Sequence, residues 1–224
     1  MGFVAASVAA PPDKLLDSLS SYRKPNFPAE LRSSPVTDGY ATLAIVIRAD
    51  GTVDDAVVLE ASHPSFGDAV LDVLPNWRFK SGDSVASNSL PYREVLRFEF
   101  SQSGVVSTMS HRDAAKAAFP ATLAEQVPVR TVQWAKLSAP PKRLEATVPS
   151  VSAQKMEGTV IVSYVIDTDG RVRVPVVVRA TEPQLGRAAL DAVKRWRFAP
   201  PKDENGPVLV EDSRSFTFTL RASN

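Results

Sequence analysis

Cysteine is absent from this 224-residue chain, and only two histidines, His63 and His111, are present. The first absence excludes disulfides, thiolate zinc sites and thiol catalysis together. It leaves the compartment open, because oxidising spaces tolerate cysteine-free proteins. The histidines lie in different segments with no partner at ligand or triad spacing, so neither a metal centre nor a Ser-His-Asp arrangement is expected. No Gly-rich phosphate loop occurs. No apolar run approaches the ~18 residues that span a bilayer. An excess of one charge is missing too. With 26 Lys+Arg against 25 Asp+Glu, the net charge is +1, too small a field to steer the protein toward nucleic acid or an anionic membrane. The expectation is a non-enzyme without catalytic residues, cofactor or metal.

What is there is ordinary in composition, 44% hydrophobic and 23% charged, as in a globular protein. Met1 to Ala10 is small and apolar and ends in Ser7-Val8-Ala9-Ala10. This reads either as the tail of a secretory signal without its basic start or as a disordered leader.

The chain repeats itself. A shift of 119 residues lays Gly39–Phe79 over Gly158–Phe198 without a gap, and 17 of the 41 positions are identical. Among them are Asp50-Gly51 over Asp169-Gly170 and Trp77-Arg78-Phe79 over Trp196-Arg197-Phe198. A two-fold repeat of this length predicts two domains rather than a solenoid.

Each copy predicts the same elements. Ala41, Leu43, Ile45 and Ile47, and Val160, Val162, Tyr164 and Ile166, alternate as one buried face of a strand. Asp-Gly follows, suited to the positive φ of a hairpin turn. A second strand carries Val53, Val57, Leu59 and Ala61, or Val172, Val174, Val176, Val178 and Ala180. The period then becomes helical through Phe66, Ala69, Val70, Val73, Leu74 and Trp77, and through Leu185, Ala188, Ala189, Ala192, Val193 and Trp196. This predicts a helix of about eleven residues whose last apolar position is the tryptophan. A third strand alternates as Leu96, Phe98, Phe100, or Phe216, Phe218, Leu220.

The fold class expected is α+β, with two domains, each a small three-stranded sheet of order 2-1-3 built on an antiparallel hairpin, a helix packed on one face. The right-handed crossover sets that order, and Pro175 suits an edge strand because it cannot donate a ladder hydrogen bond. Strand three is then the other edge. Residues 1–24 are expected to hold the leader and a short helix through Leu15, Leu16, Leu19 and Tyr22. Domains follow at 25–101 and 138–222, with 102–137 a linker holding a short helix from Ala114 to Phe119.

These residues resemble the TonB C-terminal domain family. The second copy matches over about 139–221 through Pro140-Pro141-Lys142, Glu157-Gly158, Asp169-Gly170, Ala188-Ala189-Leu190, Trp196-Arg197-Phe198 and Pro200. The first matches over about 25–101 through Pro25-Asn26-Phe27-Pro28, Gly39, Asp50-Gly51 and Trp77-Arg78-Phe79. Departures are Lys80-Ser81 where the family often has proline, and Val148-Pro149 where an aromatic precedes proline. Neither the membrane anchor nor the long proline-rich spacer of a complete TonB is visible, so the fold carries over more firmly than energy coupling.

The resemblance implies a periplasmic protein, in a Gram-negative envelope and after any signal peptide is removed. It implies partners among outer-membrane TonB-dependent receptor segments or other envelope proteins, with no nucleic acid and no membrane span in this chain. Strand three is the family's docking edge. It points to Ser215, Phe216, Thr217, Phe218 and Thr219 in the second copy, and to Arg97, Phe98 and Glu99 in the first. Phe216 and Phe218 are expected to face the core, leaving selectivity to Ser215, Thr217 and Thr219. Main-chain pairing would supply affinity. The alternative is an envelope scaffold whose domains pair with each other or form a homodimer, the edges being covered.

Two motifs are expected to be structural. Trp-Arg-Phe places two aromatics in the core and an arginine toward solvent or a carbonyl. Asp167-Thr168-Asp169-Gly170 lacks the distal ligands of a calcium loop and reads as a turn.

Overall fold

The computed structural model describes residues 18–80, 90–109, 130–149 and 156–219. They form two compact units, the first from residues within 1–45, 58–80 and 94–129, the second from residues within 46–57, 81–93 and 130–224. The first copy supplies β1 (Leu19–Ser21), β2 (Asp38–Ile47), β3 (Val53–Ala61), α1 (Pro64–Leu71), β4 (Arg78–Phe79), β5 (Tyr92–Ser101) and β6 (Gly104–Met109). After it come β7 (Thr131–Gln133) and β8 (Arg143–Glu145). The second copy supplies β9 (Gly158–Ile166), β10 (Val172–Ala180), α2 (Pro183–Val193), β11 (Arg197–Phe198), β12 (Lys202–Asp203), β13 (Gly206–Pro207) and β14 (Leu209–Phe218).

The Asp-Gly pairs close three-residue hairpin loops. Arg48 N–H donates to Thr52 O and Gly51 N–H to Arg48 O, both at 2.9 Å, and Asp167, Gly170 and Arg171 repeat the pattern. Gly51 (φ 81°) and Gly170 (φ 82°) occupy the left-handed position that ends such a loop. A Cβ on Gly170 would also collide with the Phe198 carbonyl. Asp167 Oδ1 accepts the N–H groups of Asp169 (3.0 Å) and Arg171 (2.8 Å), so this carboxylate works inside the turn.

The helices differ from the sequence expectation at their ends. α2 runs eleven residues, but α1 only eight. Pro75 has no N–H to continue a helix, and Leu74–Asn76 tightens into a single 3-10 turn. Trp77 closes that turn, its N–H donating to Leu74 O, and Trp196 N–H donates likewise to Val193 O just beyond α2, each at 3.0 Å.

The large sheets have the orders β3-β2-β5-β6 and β10-β9-β14-β7. Each therefore has four strands, not the three expected, and the third strand of neither copy is outermost. β6 and β7 fall in the stretch expected to be linker. The helix expected at Ala114 to Phe119, the leader to Ala10, Leu15 and Leu16 lie outside the described residues. Leu19, expected on a helix, belongs instead to β1 and pairs with Phe79 of β4. β14 begins at Leu209, earlier than its aromatic alternation suggested, and Leu220 is outside the described residues.

β2 is buried continuously from Tyr40 to Ile47, on both faces rather than one. In the second copy, α2 packs Leu185, Ala189 and Val193 on Val160, Val162, Tyr164 and Ile166 of β9. Trp196 closes that core, its ring 5.9 Å from Tyr164 and 5.7 Å from Phe216. Among the described residues, no helix is long and apolar enough to cross a membrane.

Candidate functional site

The Trp-Arg-Phe motif is spent on structure. Trp77, Trp196, Phe79 and Phe198 are all buried. Each indole N–H donates to a carbonyl at 2.9 Å, Trp77 to Arg23 and Trp196 to Thr147. Arg78 and Arg197 donate to the carbonyl of the preceding tryptophan, at 2.7 and 2.8 Å. His63 caps α1, its Nδ1 accepting the Ser65 N–H, and His111 is outside the described residues. Among the described residues no group of acids and histidines could hold a metal ion.

In the first copy, the residues expected at a free edge are covered. β6 pairs antiparallel with β5, setting Arg97 opposite Thr108, Phe98 opposite Ser107 and Glu99 opposite Val106. The chain reverses at Gln102-Ser103, and the Ser101 hydroxyl donates to Gly104 O at 3.0 Å. Ser-Gln-Ser-Gly followed by Val-Val-Ser-Thr is a turn and strand signal that could have revealed this strand. Phe98 is core, 6.0 Å from Trp77. Arg97 lies over the Tyr40 ring, 4.1 Å to its centroid, and donates to Thr42 Oγ1 at 3.2 Å. Of the three, only Glu99 presents its side chain broadly to solvent.

In the second copy, the edge is covered only in part. β7 pairs in parallel with Leu209, Val210 and Glu211, and among the described residues no strand flanks that side of β14 beyond Glu211. β9 pairs with β14 along its other side down to Phe218 opposite Gly158. Leu209 N–H donates to Arg130 O at 2.8 Å, so the odd-numbered residues of β14 turn their backbone groups outward, a strand having period two. The outward set beyond Glu211 is Ser213, Ser215 and Thr217. Their side chains are exposed, as is Thr219 just past the strand, whereas Phe216 and Phe218 are partly buried against the core.

Charged groups line the start of this open stretch. Tyr164 Oη donates to Asp212 Oδ2 at 2.7 Å, and Arg214 Nε is 3.1 Å from the same oxygen. Burial, then the Asp212 hydrogen bond, pushes the Tyr164 hydroxyl pKa well above the ordinary tyrosine range. The Arg214 guanidinium lies over the Trp134 ring, 5.1 Å from its centroid. Gln133 Nε2 donates to Glu211 Oε2 at 2.7 Å.

The opposite edge of this sheet, β10, is occupied by side chains. At Val174 the β9–β10 register shifts and φ is +43°, which a β-branched residue rarely adopts. Asp55 Oδ2 accepts the Val174 N–H at 2.7 Å, and Arg93 Nε donates to Val174 O at 3.0 Å. Asp55 also takes Arg173 through Nη2 at 2.6 Å and Nε at 3.1 Å. Arg93 Nη2 reaches Ser163 O at 3.0 Å on the face of β9 opposite the helix. Pro175 follows, with no donor. Val174 thus has both backbone groups engaged and Pro175 has no donor, while among the described residues no strand takes the outward groups of β14 beyond Glu211.

The model of the family described as Gram-negative bacterial TonB protein C-terminal matches residues 23–101 and 149–220. No curated protein matches the chain. Matching solved structures include the solution NMR structure of the Pseudomonas aeruginosa TonB CTD, 25% identical over 38% of this chain and 90% of that one, with a TM-score of 0.33. With both copies matched over more than half its length, the chain belongs to the Gram-negative bacterial TonB protein C-terminal family.

Proposed function

We propose that this is a non-catalytic periplasmic binding protein that takes an extended segment of an outer-membrane receptor, or of another envelope protein, as an added strand on β14. The observation that carries the reading is the side of β14 from Asp212 to Phe218, which no strand among the described residues covers, while Asp55 and Arg93 hold the opposite edge, β10. Strand addition needs a row of outward backbone donors and acceptors, and Ser213, Ser215 and Thr217, whose outward side no strand among the described residues flanks, supply it. That stretch would pair with roughly 20 Å of partner chain, at ~3.3 Å per residue.

Selectivity arises on two faces. Ser215 and Thr217 meet polar side chains of the partner on the open face. Phe216, Phe218 and Arg214 meet its alternate residues on the core face. Arg97, Phe98 and Glu99 are left out of the proposal because β6 already pairs with them. Calorimetric titration of the full chain with a synthetic N-terminal segment of a receptor tests the reading. Saturable heat, with an affinity about tenfold or more weaker in Ser215→Pro, is expected; no heat at any concentration overturns it.

A further inference from the structure

β7 has the features of a docked peptide more than of an integral strand. It has three residues and pairs in parallel, the weaker mode per residue. Side chains along one segment add to its main-chain pairing. Arg130 Nη2 donates to Asp203 Oδ1 at 2.7 Å, and Gln133 reaches Glu211. Val132, Trp134 and Leu137 are partly buried against the core. The Trp134 ring stands edge-on to Phe198, 6.0 Å between centroids, with Arg214 over its face. Main-chain pairing with anchors at alternate residues is how sheet edges take peptides. Because Trp134 sits beside Arg214, it stands where the open stretch of β14 begins.

We propose that Arg130–Leu137 is an intramolecular occupant of the β14 edge, which a partner segment must displace to pair along the whole strand. The inference rests on the reading that β14 accepts an extended segment. It also specifies the partner: a segment parallel to β14, with an apolar β-branched residue at the Val132 position and an aromatic two residues later. Only such a segment replaces both anchors.

The test uses the full chain and, as probe, a synthetic peptide of residues 130–137. In a parallel ladder, the Leu209 N–H to Arg130 O bond directs the Val132 N–H toward β14. Val132→Pro therefore removes a pairing donor, and Trp134→Ala removes the larger anchor. Both variants are expected to bind the peptide about tenfold or more tighter than the unmodified chain, with amide shifts at Leu209–Thr217. Equal affinity for variants and unmodified chain overturns the proposal. So does an absence of binding by variants whose β9 amides remain protected.

If neither variant folds, hydrogen exchange on the unmodified chain decides. Val132 and Trp134 amides exchanging far faster than Val162 and Tyr164 support a separable occupant; exchange together with the core overturns it. A receptor-peptide arm separates the two ideas. If opened variants take the 130–137 peptide but no receptor segment, the occupant stands and the receptor-binding reading fails.

Discussion

Val174 offers a quantitative test of the β10 edge, through the difference between Val174→Ala and Val174→Gly. Its side chain is fully buried and its φ is +43°. Both substitutions remove the two methyl groups, a loss of about 1–3 kcal/mol. They differ in the Cβ. In an ordinary strand, glycine is roughly 0.5–1 kcal/mol worse than alanine, because it loses more backbone freedom on folding. In the left-handed region, a Cβ costs about 1–2 kcal/mol that glycine does not incur. Glycine also gives up the burial of that Cβ, about 0.8 kcal/mol, so the opposing terms nearly cancel. V174G should therefore match V174A to within about 0.5 kcal/mol, where an ordinary buried strand position would leave glycine about 1.5 kcal/mol worse. Urea unfolding followed by circular dichroism, with exchange of β10 amides locating the change, measures the difference. If V174A is the more stable by the ordinary increment, the valine is not held left-handed by Asp55 and Arg93, and the account of this edge is wrong.

Other predictions concern separate parts of the molecule. Trp196→Phe and Trp77→Phe should each lose about 1–3 kcal/mol of stability, from lost burial plus an unmet carbonyl at Thr147 or Arg23. Urea midpoints measure this, and unchanged midpoints would contradict the core assignment. Ser215→Pro should reduce receptor-segment affinity about tenfold or more while changing stability by no more than about 1 kcal/mol, since an edge strand tolerates proline where no ladder bond is lost. Arg97→Ala should weaken the first unit by removing its Tyr40 and Thr42 contacts without changing that affinity. Tyr40 has its hydroxyl pKa raised from 10.0 to about 12 by burial first and the Glu60 hydrogen bond second. The folded state holds a proton that the unfolded chain has released, so this contribution is complete below pH 10 and is lost as pH rises toward 12. Tyr40→Phe should flatten that alkaline limb in a stability-against-pH series.

The parts legible in the sequence are those encoded locally. The Asp-Gly turns, the apolar faces of β2, β9 and α2, and the aromatic closure at Trp196 follow from period and turn chemistry, and the 119-residue offset brings out both copies. What escaped notice depends on short signals or distant partners. β7, only Thr131-Val132-Gln133, is too short for alternation to show, and its pairing is fixed by Leu209, far along the chain. β6 was announced by Ser101-Gln102-Ser103-Gly104, yet its strand lacks a clean apolar alternation. Pro75 carried the information that α1 stops early. The groups on β10, Asp55 and Arg93, are drawn from segments 119 and 81 residues before Val174, and no local pattern marks them. At the candidate site, the alternation of β14 was readable but its partial cover by β7 was not.

Amide protection on β14 tests the central claim most directly. The full chain is titrated with a receptor N-terminal segment, and exchange at Ser213, Ser215 and Thr217 is followed residue by residue. Strand addition predicts that these three outward N–H groups become protected on binding, while Arg214 and Phe216, whose backbone already faces β9, change little. Binding that leaves Ser213, Ser215 and Thr217 as exchangeable as before would contradict the account.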